Sequence, residues 1–250
     1  MKHRHLISAL VLLLVIAGVV AWRNRDTEPA KPASVSTTTT TQPSQPAKQT
    51  PSPATFDKKK YSNDSPTSIW VVVNKTRPLS PKDYAPADLI SVGGGQQMRK
   101  EAAAALATLI ADAKKQGLTI SALSGYRSYT TQVSVYNNEV KNYGQATADT
   151  ESARPGTSEH QTGLAVDVGG GGCGIEDCFG KTAEGKWLAT NAYKYGFIIR
   201  YTTEKQPITG YRAEPWHIRY IGTDLSTEMQ KQGVTTLEEF FNLPAAPNYP

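Results

Sequence analysis

The sequence is poor in the residues that most often announce a metal site or a disulfide scaffold, with four His and two Cys in 250 residues. Two thiols cannot complete a thiolate zinc site by themselves. Two of the four imidazoles, His3 and His5, stand ahead of an apolar run, which leaves His160 and His217 for the rest of the chain. Basic residues are not interleaved with aromatics on any one element, and Lys58-Lys59-Lys60 is the only tight basic cluster. The net charge of +5 and the pI near 9.1 therefore do not point to a nucleic-acid partner, and are read as a mild attraction to anionic membrane or wall polymers. No internal repeat is present, which excludes a solenoid.

Long apolar runs are scarce too, the exception being residues 6–22, preceded by Lys2 and Arg4 in the manner of a signal n-region. The run is at the short end of the roughly 17 to 25 residues that a spanning helix needs. A cleaved signal, with Val19-Val20-Ala21 as its cleavage site, and a retained anchor are both open. No Cys follows the run to accept a lipid, and Arg23 and Arg25 read as a stop at a membrane face, so a single-pass anchor over residues 1–25 is expected. Residues 26–65 are dominated by Pro, Ser, Thr, Gln, Ala and Lys. They cannot bury enough surface to offset their ordering entropy. They are expected to form a disordered tether, able to hold a domain up to ~100 Å from a bilayer at about 3.1 Å per residue. Residues 66–250 then have the size of one domain, expected to be a monomer.

Within it, Ile69-Trp-Val-Val-Val-Asn74 reads as a buried strand. Ala102, Leu106, Leu109, Ile110 and Ala113 recur at helical spacing, predicting a helix over 98–116 with Gly117 as its C-cap. Further helices are expected over 130–143, 183–195, 225–232 and 236–242, and strands over 118–123, 164–168, 197–200 and 216–221. Helices and strands do not alternate as βαβ units, so the fold class is α+β: one compact domain with a small antiparallel sheet.

His160 lies in Ser158-Glu-His-Gln-Thr-Gly-Leu-Ala-Val-Asp167, where Gly163 permits a turn and the apolar alternation behind it announces a strand carrying Asp167. His217 lies in Glu214-Pro-Trp-His-Ile-Arg-Tyr220. In a regular strand Glu214 and His217, three apart, would face opposite sides. Pro215 favours a strand beginning after it, which would let Glu214 lean back towards His217. Two His and one Asp suit Zn²⁺ and leave a fourth tetrahedral position open. Glu214 could serve as the base and Arg127, in Ser124-Gly-Tyr-Arg-Ser128, could stabilise a developing oxyanion. Cys173 and Cys178 are expected to form a disulfide in an exported protein, with thiolate metal binding as the alternative.

The three motifs together, Ser-x-His-x-x-Gly-x-Ala-x-Asp, Glu-x-x-His and Ser-Gly-Tyr-Arg-Ser, resemble the zinc D-alanyl-D-alanine carboxypeptidase family of vancomycin-resistance type. The likeness extends over most of residues 69–222, including Tyr195-Gly-Phe-Ile-Ile-Arg200 and Ile208-Thr-Gly-Tyr211. It implies zinc on His160, Asp167 and His217, Glu214 as general base, and Arg127 near the scissile carbonyl. It also suggests that Ser158 helps hold the substrate's terminal carboxylate and that Gln132 and Trp216 line the site. The implied substrates are stem peptides of peptidoglycan, with the D-Ala-D-Ala bond expected over the L-to-D bond and the domain extracytoplasmic. The rivals are an endopeptidase using the same site and, in another class, a non-catalytic tethered wall-binding module.

Overall fold

The structure is a computed structural model describing residues 55–250; the apolar run at 6–22 and most of the expected tether lie outside the described residues. Four strands form the central antiparallel sheet: β3 (Ser121–Ser124), β4 (Ala165–Gly169), β6 (Glu214–Tyr220) and β5 (Phe197–Tyr201), in the order β3-β4-β6-β5. A separate hairpin of β1 (Leu89–Gly93) and β2 (Gln96–Arg99) precedes α1 (Lys100–Lys115). Helices α2 (Tyr129–Tyr143) and α3 (Gln145–Glu151) follow β3, α4 (Ala183–Asn191) precedes β5, and α5 (Gln206–Thr209) precedes β6. The chain ends with α6 (Thr223–Gln232) and α7 (Leu237–Phe240). The α+β reading holds, as do the helices expected near 98–116 and 130–143 and the C-terminal pair. Among the described residues, no helix is long and apolar enough to cross a membrane.

Strand alternation sorts the sheet's two faces. Val166, Val168, Ile218 and Phe197 point into one core with Leu106 and Leu109 of α1 and Leu188 of α4, all essentially inaccessible to water. The opposite face carries a row of polar side chains, because Asp167 pairs across the ladder with His217, Ala165 with Arg219, and Ile198 with Arg219 from the other side. Directly opposed residues share a face. One end of this face is roofed by a second apolar cluster that includes Trp70, Val72, Leu237 and Phe240; the other end opens as a cleft.

Two expectations are corrected. Residues 69–74 are buried but do not form a strand. Three of their carbonyls are met by guanidiniums instead: Arg219 Nη2 donates to the carbonyls of Ile69 (3.2 Å) and Val71 (2.8 Å), and Arg77 Nε donates to that of Val72 (3.3 Å). An extended segment needs no ladder partner once guanidinium donors meet its acceptors. The domain also begins before residue 66. Phe56 stacks on Trp70 at 5.6 Å and meets Phe240 edge-on at 5.7 Å, so an aromatic in a polar stretch ties the chain ahead of residue 66 to the folded unit. The β1–β2 hairpin and α3 had no clear signal in the sequence.

Candidate metal centre and active-site cleft

Two of the three expected metal ligands are placed by sheet register. Asp167 on β4 and His217 on β6 are directly opposed, and His217 Nδ1 lies 3.1 Å from Asp167 Oδ1 although the residues are 50 apart in sequence. The third arrives on a loop. Residues Glu159–Thr162 form a single 3₁₀ turn, ended by Gly163 in the left-handed conformation (φ 68°). That turn folds His160 back over the strand it feeds, with Nε2 3.2 Å from Asp167 Oδ2. The imidazole rings are edge to face at 5.0 Å, and all three residues present a donor atom within 4.8 Å of the others.

The remaining nitrogens show that this is a built donor set. His160 Nδ1 lies 2.8 Å from the Gly125 carbonyl, so it donates there and Nε2 is left as the acceptor. His217 Nε2 faces Glu159 Oε2 at 3.4 Å, leaving Nδ1 for the centre. Ligating histidines characteristically donate their other N–H to a carbonyl or carboxylate. Once His217 gives up its Nδ1 proton, two imidazole nitrogens and one carboxylate suit zinc.

Glu214 reaches the centre by a route different from the expected one. β6 starts at Glu214 itself, ahead of Pro215, and the β5–β6 register shifts between Ile199 and Tyr201, so that Tyr201 pairs with Glu214 while Ile199 pairs with Ile218. Two extra β6 residues are accommodated in this bulge, which re-aims side chains. Glu214 Oε2 consequently lies 3.7 Å from His217 Nδ1. Arg127 follows β3, whose Ser124 is paired beside Asp167. Its guanidinium donates to Ser124 Oγ (2.9 Å) and Gln132 Oε1 (2.9 Å), and reaches Asp167 Oδ2 at 3.9 Å.

A cleft of about 250 Å³ joins Arg127, Ser158, His160, Asp167, Glu214, Trp216 and His217. Ser158 and Trp216 therefore line it as expected, with Arg212 lying over the Trp216 ring at 5.3 Å. Gln132 does not line it. It is fully buried behind Arg127, and its Nε2 donates to Ser152 Oγ and the Ala153 carbonyl. Its role here is to fix the guanidinium. Cys173 and Cys178 form the expected disulfide, and the short loop that it closes carries Ile175 into the cleft wall. Sequence reasoning missed Tyr201, whose ring lies 5.0 Å from that of His217. It also missed Glu159, which lies between Ser158 and His160 inside the His160 motif.

Burial opposes ionisation throughout this site, and specific partners decide each case. Burial works against a charged His217, yet hydrogen bonds to Asp167 and Glu159 outweigh it and raise its pKa to about 10. His160 is pushed down by burial, and the Arg127 charge adds to the effect against the pull of Asp167. Asp167 stays well below the usual carboxylate range: desolvation acts the other way, but the two imidazoles prevail. Glu214 is pushed up to about 8, chiefly by burial. The result is one strongly anionic ligand, one neutral imidazole and a carboxyl that titrates near neutral pH.

A profile of the VanY family, described as D-alanyl-D-alanine carboxypeptidase, matches residues 95–223, about half of the chain. The putative carboxypeptidase YodJ of Bacillus subtilis (strain 168) is 45% identical over 188 residues, covering 71% of this chain and 68% of that protein. The solved structure of the LdcB LD-carboxypeptidase is similar with a TM-score of 0.66 at 44% identity, over 71% of this chain and 87% of its own. A variant of the vancomycin-resistance D,D-pentapeptidase VanY in complex with Zn(II) is similar with a TM-score of 0.62 at 33% identity, over 70% of this chain and 99% of its own. The family match, the identities and the shared fold show that the chain belongs to the VanY family of D-alanyl-D-alanine carboxypeptidases.

Proposed function

We propose that this enzyme removes the C-terminal D-alanine of peptidoglycan stem peptides, using zinc held by His160 Nε2, Asp167 and His217 Nδ1. The observation that carries the reading is the cross-strand pairing of Asp167 with His217, closed by His160 and flanked by Glu214. Zinc, when bound, supplies a Lewis acid and brings the pKa of a coordinated water to about 7. Glu214, which lines the cleft beside His217, takes a proton from the attacking water and returns it to the leaving amine. The Arg127 guanidinium, fixed by Ser124 and Gln132, faces the negative charge that builds on the scissile carbonyl oxygen. Ser158 offers its hydroxyl to the terminal carboxylate, and Trp216 walls the cleft.

The first reading is the D-Ala-D-Ala bond of a pentapeptide, in keeping with the description of the matching family. A second reading, the L-to-D bond of a tetrapeptide, is favoured by the higher identity to the LdcB LD-carboxypeptidase (44%) than to VanY (33%). Incubating the zinc-loaded protein with both stem peptides and reading product masses separates the two. Loss of alanine from neither would sink the proposal, and shortened crosslinks with intact termini would reveal an endopeptidase. We further propose that the domain acts outside the cytoplasm, where assembled peptidoglycan lies, and that residues 6–22 tether it to the membrane. Membrane fractionation of the full-length chain, against a chain lacking those residues, tests that.

A further inference from the structure

Beside the metal centre, and on the same sheet face, four charged side chains are completely buried: Glu159, Arg200, Arg219 and Glu238. The two oxygens of Glu159 are divided between two tasks. Oε1 accepts from Arg200 Nε (2.8 Å) and Arg219 Nη1 (2.9 Å), while Oε2 faces His217 Nε2 at 3.4 Å. The guanidiniums are anchored in turn. Arg200 makes a two-pronged pair with Glu238 of α7 (3.0 and 2.8 Å), and Arg219 holds the carbonyls of Ile69 and Val71. Neither α7 nor the segment around Val71 lines the cleft, yet both reach His217 through this chain of bonds.

We infer that Glu159 is a positioning residue of the metal centre: its Oε2 accepts from His217 Nε2 and so fixes the ring orientation and tautomer that leave Nδ1 facing Asp167. The need follows from the two histidines' opposite geometry. His160 presents Nε2, its far nitrogen, and a backbone carbonyl suffices to hold Nδ1. His217 presents its near nitrogen, so its far nitrogen points away from the cleft and requires a buried acceptor of its own. A carboxylate in that position also makes the imidazole a stronger ligand than a carbonyl would. The Arg200 and Arg219 contacts on Oε1 keep the carboxylate from rotating away from the ring.

This inference rests on the zinc reading above, so the first measurement is zinc binding by the wild-type full-length chain. A chain that binds no zinc defeats that reading; the remaining outcomes address Glu159. In the zinc-loaded wild type, ¹⁵N–¹H correlation spectra should show His217 protonated at Nε2 and unprotonated at Nδ1. The reverse assignment overturns the inference without recourse to any variant. Glu159→Gln removes the charge, and Glu159→Asp keeps the charge but withdraws it from His217. Each should weaken zinc binding to the metal-free chain about 10- to 100-fold and shift the visible spectrum of the cobalt-substituted protein. Glu238→Gln, which loosens the same network without touching His217, should do neither. Unchanged affinity and spectra in the Glu159 variants, or equal weakening in Glu238→Gln, would assign Glu159 a merely structural part.

Discussion

Two clusters of buried charge share one face of the four-stranded sheet, and they differ in how their charges are satisfied. Around Glu159, Arg200, Arg219 and Glu238, carboxylates and guanidiniums are joined by short hydrogen bonds, with no exposure to solvent. Around His160, Asp167, His217, Glu214 and Arg127, charge is also buried, but ligand atoms of His160, Asp167 and His217 lie within 4.8 Å of one another and the cleft reaches them. A network closed on itself stabilises and positions. One whose ligand-type atoms converge beside a cleft can exchange those mutual contacts for a bound ion.

The strongest test of this contrast is Glu214→Gln. D-alanine release should fall by about 10²- to 10⁴-fold while zinc content stays at the wild-type level. Parallel loss of zinc would mean that Glu214 belongs with the ligands. In the closed cluster, Arg200→Met strands Glu159 and Glu238, and should cost roughly 3 to 5 kcal/mol in chemical denaturation. A loss below about 1 kcal/mol would show that the network is not tightly closed, since exposed pairs contribute no more than that.

The closed cluster also predicts acid sensitivity. Desolvation of Glu159 and Glu238 opposes ionisation, but the paired arginines hold both carboxyls below the ordinary value of 4.5. Their contribution is complete above about pH 4.5 and is lost as pH falls through the depressed folded-state values. The domain should therefore lose stability below pH 4.5 more steeply than Glu238→Gln, as read by thermal unfolding across pH.

The open cluster predicts proton release instead. His217, raised to about 10, is charged at pH 7 in the metal-free protein and must shed its proton to ligate. Calorimetry in two buffers of different ionisation heat should report at least one proton displaced by zinc, with apparent affinity rising as pH climbs towards 10. The smallest effect is expected at the cleft wall. Replacing Cys173 and Cys178 by Ser opens a short loop, which should cost about 2 kcal/mol on the chain-entropy estimate. It should weaken substrate binding through Ile175 more than it slows turnover, as a comparison of KM with kcat would show.

Much of this was legible in the sequence because it is local. The turn at Gly163 and the donor types at positions 160, 167, 214 and 217 follow from residue chemistry over a few positions, and α1 from its apolar spacing. Segment 69–74 was read as a strand because its composition is that of one, and composition does not say whether a ladder or the Arg219 guanidinium will meet its carbonyls. Glu214 was placed correctly beside His217 but for a different reason: the bulge against β5 turns it, and a bulge belongs to a pair of strands. Gln132 was assigned to the cleft by the resemblance alone, and a motif does not say whether a polar side chain near Arg127 faces substrate or the guanidinium.

The sequence by itself determined the chemical inventory: two imidazoles, an aspartate, a glutamate and a guanidinium, carried in local frames that could present them. Tertiary structure decided that Asp167 would oppose His217 and that Glu159, inside the His160 motif, would turn to the far side of His217 to meet arginines 41 and 60 residues away. The physical reason is that strand register and burial are settled by hydrogen-bonding and packing partners distant in the chain, and a single side chain carries no record of them.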